Sequence, residues 1–451
     1  MEFVALLVPM LLLFVIALTK SIPKIGGDVR IALLTAAVAS ALFAQLGPVE
    51  IVTAMIDGID QLAWVIMLSL VGSIYAEAQV RIGAMETTLS SFRSIFGNSS
   101  KGLVISVFLT LILAGSLLGD AIAAATVIGL LVIPTLSQLK MKPEHIGMII
   151  LLGASLGSIM PPISQAVFLS ASLVGIEPTN VLNVAYITVG IGSIFAIVES
   201  FRFVKGKKLP EHLQTTETLG SIIVKRWYTM IPLLILTIII ILNTGFSYSI
   251  FEWPFIAPII TWLEEIPIIQ GLAFPVVLAI IVALIVSFVF PAVRTNSGDV
   301  VKTGLSKVSK TVQIQLCAGI MVGVFYASGT IDTVAMYAVT LESSALKIGG
   351  ALGIILIGMI TGSQTTAQTV LVTFIAPALE SLGVHSTNIA LGASHIAAAG
   401  QNFPPVGLTA FVVCGIVGGA MNTKVDPIKV MILALPNSLY FILIGLIAWF
   451  I

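Results

Sequence analysis

Two proline pairs, Pro161-Pro162 and Pro404-Pro405, are the residues whose type and placement could do chemistry. Each pair lies inside an apolar tract, at Gly157-Ser-Ile-Met-Pro-Pro162 and Gly400-Gln-Asn-Phe-Pro-Pro405. Proline has no backbone N–H and its ring clashes with the preceding turn, so a helix that runs through such a pair is broken there. In an apolar medium the freed carbonyls must find another partner. A coordinated cation is one, and the negative end of the half-helix leading into the break favours it. The half-helix beginning at Pro162 or Pro405 presents unpaired N–H groups and a positive dipole end, where an anionic solute can sit. A kink satisfied by a neighbouring serine is the simpler alternative, and two breaks at matching places count against it.

Two other stretches have the same character, Gly115-Ser-Leu-Leu-Gly-Asp120 and Thr361-Gly-Ser-Gln-Thr-Thr366. The second is dense in hydroxyls and amides without charge. Such a surface suits a carboxylate, and its hydroxyl oxygens also suit a hard cation. Asp120 falls within an apolar tract, and ionisable residues there are functional candidates; a turn cap is its plainer role. The candidate solute contacts are therefore Ser116, Asp120, Pro162, Ser363, Gln364, Thr365, Gln401 and Pro405. Close packing of small residues between helices is the alternative for the Gly and Ser members. His395 reads as a packing residue, Cys317 and Cys414 as small fillers, and Glu77 and Glu199 as acids that snorkel from helix ends. No Gly-x-x-x-x-Gly-Lys motif points to nucleotide-driven work, and no His/Cys/carboxylate cluster points to a catalytic metal. No enzymatic activity is expected.

These breaks need an apolar scaffold, and the composition supplies one. Of 451 residues, 58% are apolar and 9% charged, against about 25% charged in soluble proteins. Tracts such as Trp227–Leu242, Ala273–Val289 and Ile428–Ile451 approach or exceed the ~20 residues that cross a hydrocarbon core as a helix. Barrel strands alternate over about 10 residues and are excluded. The expectation is an all-α polytopic membrane protein. The formal net charge is +0, so nothing suggests nucleic acid.

Lys and Arg gather in clusters, Lys20/Lys24/Arg30, Arg81/Arg93/Lys101, Lys140/Lys142, Arg202 to Arg226, Arg294 to Lys310 and Lys424/Lys429, separated by acidic or uncharged connections. The positive-inside rule places these clusters in the cytoplasm and both termini outside. Helices near 3–19, 29–47 and 62–80 then alternate in direction. Stretch 102–139 begins and ends on the cytoplasmic side but falls short of the ~40 residues plus a turn that two spans need. A re-entrant hairpin is preferred over two helices with a tight turn. After a polar linker the pattern recurs upside down, with helices near 228–243, 269–291 and 311–329 and a second hairpin. Ser249–Pro267, with Trp253 and Trp262, reads as an outer interfacial segment.

Inverted-topology repeats follow, each with a re-entrant hairpin and a discontinuous helix. The first repeat is 1–201, with its hairpin at 102–139 and broken helix at 144–176. The cytoplasmic linker is 202–226, and the second repeat is 227–451, with its hairpin at 344–380 and broken helix at 388–421. Gly115, Gly119, Ala124, Thr126 and Pro134 match Gly358, Gly362, Ala367, Thr369 and Pro377 at one offset. Leu152-Gly-Ala-Ser155 matches Leu391-Gly-Ala-Ser394, after which the proline pairs align with four extra residues in the second half. Inverted repeats with paired broken segments are a feature of secondary carriers. A channel or scaffold is the competing class, for which an inverted repeat is not needed.

At the two proline segments the chain resembles a known family. Gly119–Lys142 with Gly153-Ala-Ser-Leu-Gly-Ser-Ile-Met-Pro-Pro162 is similar to the first signature of the large membrane subunit of TRAP transporters, the DctM-like family. Pro404-Pro-Val-Gly-Leu-Thr-Ala-Phe-Val-Val-Cys-Gly-Ile-Val-Gly418 is similar to the second. The resemblance implies a subunit of a cytoplasmic (inner) membrane transporter in the ion transporter superfamily, with elevator-type movement. It implies uptake of a small organic acid, such as a dicarboxylate or sialic acid, driven by sodium, with a proton as the alternative coupling ion. No cofactor is implied. By position it suggests Ser116, Gly157, Ser158 and Pro161 for one sodium ion, and Thr365, Thr366, Gly400, Asn402 and Pro404 for the other. It also implies two partners, a small four-helix membrane subunit and an extracytoplasmic solute-binding protein. The first tip has Leu117-Leu118 where the family has a Ser-rich run, and the N-terminal region differs from the usual start. A stand-alone organic-anion carrier of gluconate, lactate or citrate type would share the breaks.

Overall fold

The computed structural model describes residues 2–19, 26–119, 121–214, 216–246, 248–338 and 342–451. Asp120, Lys20 and Lys24 lie outside the described residues. Among those described, all regular structure is helical, and eight helices are long and apolar enough to cross a membrane.

The centre of the molecule is built from two broken helices. In Pro143–Ile159 every residue from Ile146 to Ile159 is buried, and in Ser386–Gly400 the same holds from Ile389 to Gly400. A helix apolar on all sides has to be surrounded by protein or lipid, and here other helices surround both. Their continuations are Gln165–Val174 and Leu408–Met421. Each is flanked by a helical hairpin, Ser100–Leu118 with Ala121–Gln138, and Ser343–Thr361 with Gln364–Ser381. By length and apolar composition three of the four arms also qualify as spans, while the more polar Gln364–Ser381 does not; at 1.5 Å per residue the arms are ~27–28 Å long.

The outer layer faces lipid. On Thr179–Ser200 the exposed residues Val184, Ile187, Ile191, Ile194 and Val198 recur every three or four positions, an apolar stripe along one helix face. Pro427–Phe450 exposes Ile428, Ile432, Leu439, Leu443 and Ile447 in the same way.

Ala63–Ile82 and the long Ser297–Ala327 line the remaining side as a wall. The sequence placed the second of these at 311–329. It starts earlier because the basic stretch from Lys302 to Lys310 continues the same helix, which at 31 residues is ~46 Å long and overshoots a ~30 Å hydrocarbon layer. Pro48–Gln61, read from sequence as an acidic connection, is also a helix. Its start is fixed by Pro48 and by the Glu50 carboxylate, which accepts the Gly47 N–H at 2.7 Å. It lies against Ser297–Ala327 so closely that a Cβ on Gly58 would stand 2.1 Å from the Gly319 carbonyl. Further helices at Ala84–Phe96 and Thr330–Ala338 fill connections that the hydropathy pattern left unassigned. Ser249–Pro267 holds a 3-10 turn and the helix Ala257–Glu264, with Trp253 and Trp262 exposed.

Candidate functional site

Both proline pairs interrupt their helices. Pro143–Ile159 ends before Pro161, Ser386–Gly400 ends before Pro404, and the Pro161–Pro162 and Pro404–Pro405 peptides are cis. A helical carbonyl is normally satisfied by the N–H four residues on. For Gly157 and Ser158, and for Gly400 and Gln401, that residue is proline and offers none. The Gly157 and Gly400 carbonyls recover a bond three residues on, from Met160 N–H at 3.1 Å and Phe403 N–H at 3.2 Å. The carbonyls of Ser158 and Gln401 gain no such replacement from the turn.

The hairpins meet these breaks in matching fashion. Gly115 lies on Gly157, where a Cβ on either would stand 2.7 Å from the other's Cα. Gly358 lies on Gly400, and a Cβ there would stand 2.8 Å from the Gly400 carbonyl carbon. The first arm of each hairpin ends on a glycine in the left-handed region, Gly119 at φ +63 and Gly362 at φ +67. Each donates its N–H four residues back, Gly119 to the Gly115 carbonyl at 2.8 Å and Gly362 to the Gly358 carbonyl at 2.7 Å. These contacts correct one part of the sequence alignment. Gly157 to Gly400 and Pro161 to Pro404 carry the same offset as Gly115 to Gly358, so no four-residue insertion precedes the second proline pair. The Leu-Gly-Ala-Ser match is one helical turn out of register with the packing.

A buried chain of polar side chains joins the two centres. Ser155 Oγ donates to Asn402 Oδ1 at 3.1 Å, and Ser158 Oγ donates to the Ser155 carbonyl at 2.8 Å. Gln364 Nε2 donates to Ser158 Oγ at 3.2 Å, and Gln401 Nε2 to Gln364 Oε1 at 3.3 Å. The structure therefore brings Ser158, Gln364, Gln401 and Asn402 together, as one link between the second hairpin tip and both breaks. Ser116 is buried on the first hairpin, and among the described residues its hydroxyl has no hydrogen-bond partner. Thr366 N–H is capped by Ser363 Oγ at 3.2 Å.

A cavity of about 470 Å³ opens beside this link. Leu117 and Gly119 of the first tip, Ser363, Thr365 and Thr366 of the second, and Ile163 and Gln165 past the first break line it. Ser69, Glu77, Lys307 and Lys310 line it from the wall. Of the sequence-derived solute contacts, Ser363 and Thr365 face this space. Gln364 and Gln401 are turned into the buried link, and Ser116, Pro162 and Pro405 are not part of the lining. The wall residues were missed. Ser69 Oγ accepts from both Gln165 Nε2, at 2.8 Å, and Gln315 Nε2, at 3.1 Å. Glu77 does not snorkel: its side chain is 8% exposed and is held by Arg81 Nε at 2.8 Å and Lys307 Nζ at 2.7 Å, while Arg81 also pairs with Asp299. Glu199 is likewise covered, paired with Arg202 at 2.9 Å. The advance signals were Ser69 and Glu77 within an otherwise apolar stretch and, for Lys307 and Lys310, the basic cluster Arg294 to Lys310. His395 is fully buried with both ring nitrogens engaged, by Thr188 Oγ1 at 2.8 Å and Ser394 Oγ at 3.1 Å, in keeping with a packing role.

Among the described residues no three His, Cys, Asp or Glu side chains gather as a metal cluster. Among the described residues the oxygen donors near the breaks are hydroxyls, amides and carbonyls, a neutral set unlike the ligands of a resident transition metal.

Helices broken around a shared cavity, inside a shell of lipid-facing helices, define a multi-pass membrane permease. The family model for the tripartite ATP-independent periplasmic transporter, DctM component, matches residues 29–451. The chain belongs to the DctM family, whose members are transporter subunits and not enzymes. No curated protein sequence matches it significantly. Among solved structures it is similar to the YdaH transporter of Alcanivorax borkumensis, with a TM-score of 0.57 and 17% identity over 99% of this chain and 96% of that one. It is also similar to MtrF of Neisseria gonorrhoeae, described with a class of antimetabolite efflux pumps, with a TM-score of 0.63 and 15% identity over 97% of this chain and 96% of that one. At such identities the likeness concerns the fold alone.

Proposed function

We propose that this DctM component couples a sodium gradient to uptake of a small organic acid by an elevator-type movement. The observation that carries this reading is the paired crossing of hairpin and break, Gly115 on Gly157 and Gly358 on Gly400, beside a cavity shared by both tips. Helix ends left without partners at those crossings offer carbonyls to cations and N–H groups to an anion. Ser116, Gly157, Ser158 and Pro161 form one sodium position, and Thr365, Thr366, Gly400, Asn402 and Pro404 the other. The orphaned Ser116 hydroxyl and the proline-blocked Ser158 carbonyl support the first. Ser363 and Thr365 meet the acid.

The two halves, 1–201 and 227–451 about the linker 202–226, are inverted repeats, and their hairpins are re-entrant. Convergence of both tips on one cavity supports this. Both termini are extracytoplasmic, as the basic clusters indicate. A small four-helix membrane subunit and an extracytoplasmic solute-binding protein complete the transporter.

The test is uptake into proteoliposomes of labelled succinate, gluconate and N-acetylneuraminate, with and without a sodium gradient, for the chain alone and with its two partners. Sodium-stimulated uptake that needs the partners is the expected result. Uptake by the chain alone would assign it to the stand-alone carriers, and uptake driven only by a proton gradient would overturn sodium coupling.

A further inference from the structure

The organic-acid reading leaves open which full charge on the protein meets the cargo. We infer that Lys310 is that charge, a cationic contact on the wall that pairs with a carboxylate of the cargo in the conformation seen here. The inference rests on the proposed acid cargo.

Lys310 stands on Ser297–Ala327 and lines the 470 Å³ cavity together with Ser363, Thr365 and Thr366. It also lines a second cavity of about 350 Å³, which shares Thr366 with the first. Lys310 thus borders both spaces that flank the second hairpin tip. The neighbouring cations are already engaged: Lys307 and Arg81 by Glu77, Arg81 also by Asp299, and Arg30 by Asp28 and Gln313. Among the described residues Lys310 has neither an ion pair nor a hydrogen bond. The charged groups lining the larger cavity are Glu77, Lys307 and Lys310, so one positive charge is left uncompensated.

The hairpin tip supplies the other half of the contact. Ser363 caps Thr366 N–H, and the remaining first-turn N–H groups of Gln364–Ser381 have no acceptor within the helix. A carboxylate between that positive helix end and the Lys310 ammonium meets attraction from both sides. The tip belongs to a hairpin and Lys310 to the wall, so the contact exists only while the two are adjacent. Lys310 therefore sets affinity for the acid in this conformation, without contributing to the cation positions.

The experiment is thermal unfolding of the purified chain in detergent, titrated with succinate, gluconate or N-acetylneuraminate, for wild type, Lys310→Gln and Lys310→Arg. A sodium titration without acid runs beside each. At least one acid should stabilise the wild type; its apparent Kd should rise about fivefold in Lys310→Gln and stay within about twofold in Lys310→Arg, as suits a partly exposed ion pair. Sodium stabilisation should be the same in all three. Equal acid affinity in wild type and Lys310→Gln would overturn the role of Lys310 while leaving the acid reading intact. Parallel loss of the sodium response in Lys310→Gln would mark general damage and also overturn it. If sodium but no acid stabilises the wild type, the acid reading falls and the inference with it.

Discussion

Replacing Gly157 by alanine tests whether the hairpin-to-break crossing depends on backbone contact. A Cβ at Gly157 would lie 2.7 Å from Gly115 Cα, 2.7 Å from the Ile112 carbonyl and 2.9 Å from the Leu111 carbonyl. Carbon contacts are favourable only beyond about 3.5 Å, so the first hairpin arm has to retreat by about 1 Å along its contact with the broken helix. Overpacking of this kind costs about 1–3 kcal/mol, and the better helix propensity of alanine returns about 1 kcal/mol. A net loss of up to about 2 kcal/mol is expected. Gly190, on the lipid-facing Thr179–Ser200, has nothing within 4 Å of its Cβ position. Gly190→Ala should therefore stabilise, by about 0.5–1 kcal/mol. Gly400→Ala should fall between them, since its nearest atoms, Ile355 Cα and carbonyl, stand at 3.1 and 3.2 Å. Thermal unfolding of the three variants reads the order, and sodium-stimulated uptake reads the effect on the site. Equal stability of Gly157→Ala and Gly190→Ala would refute the reasoning, because the clash would then be absorbed without cost.

Ser116→Ala should leave stability in choline buffer unchanged or raise it by up to about 1 kcal/mol, because an unpaired buried hydroxyl is removed. Stabilisation by added sodium should shrink, and an unaltered sodium response would exclude Ser116 as a ligand. Asn402→Ala and Thr365→Ala should each shift the sodium activation curve for uptake to higher concentration; unchanged activation in both would count against the second cation position. Glu77→Gln keeps the size of a buried side chain but strips the charge from a carboxylate held by Arg81 and Lys307. It should destabilise the protein by about 1–3 kcal/mol, discounted for the partial exposure of both cations, and adding Lys307→Met should recover part of the loss.

The sequence alone determined that the chain lives in lipid and where its helices break. Both conclusions follow from local chemistry: apolar side chains over span-length tracts, and prolines that cannot donate a backbone hydrogen bond wherever they are placed. The glycines that close each first hairpin arm were legible for the same reason, since Gly119 and Gly362 adopt a conformation that other residues rarely take. Helix ends were less legible where polarity misled. Pro48–Gln61 and the first turns of Ser297–Ala327 carry charges, several of them engaged by other elements, as Asp60 is by Ile268 N–H and Lys307 by Glu77, so hydropathy read them as connections.

Only the tertiary structure decided what those elements do together. The register between the two hairpin-and-break pairs came from backbone contact between Gly115 and Gly157 and between Gly358 and Gly400, because a Leu-Gly-Ala-Ser string recurs by composition whereas a Cβ-free crossing tolerates no slip. Gln364 and Gln401 look like solute ligands in one dimension, yet Gln364 joins the second tip to Ser158 and Gln401 joins the second break to Gln364. Ser69, Glu77, Lys307 and Lys310 reach the cavity from helices far from the tips in sequence. Which polar groups share a space depends on helix rotation and on how closely backbones approach, and both are set by packing between segments distant in the chain.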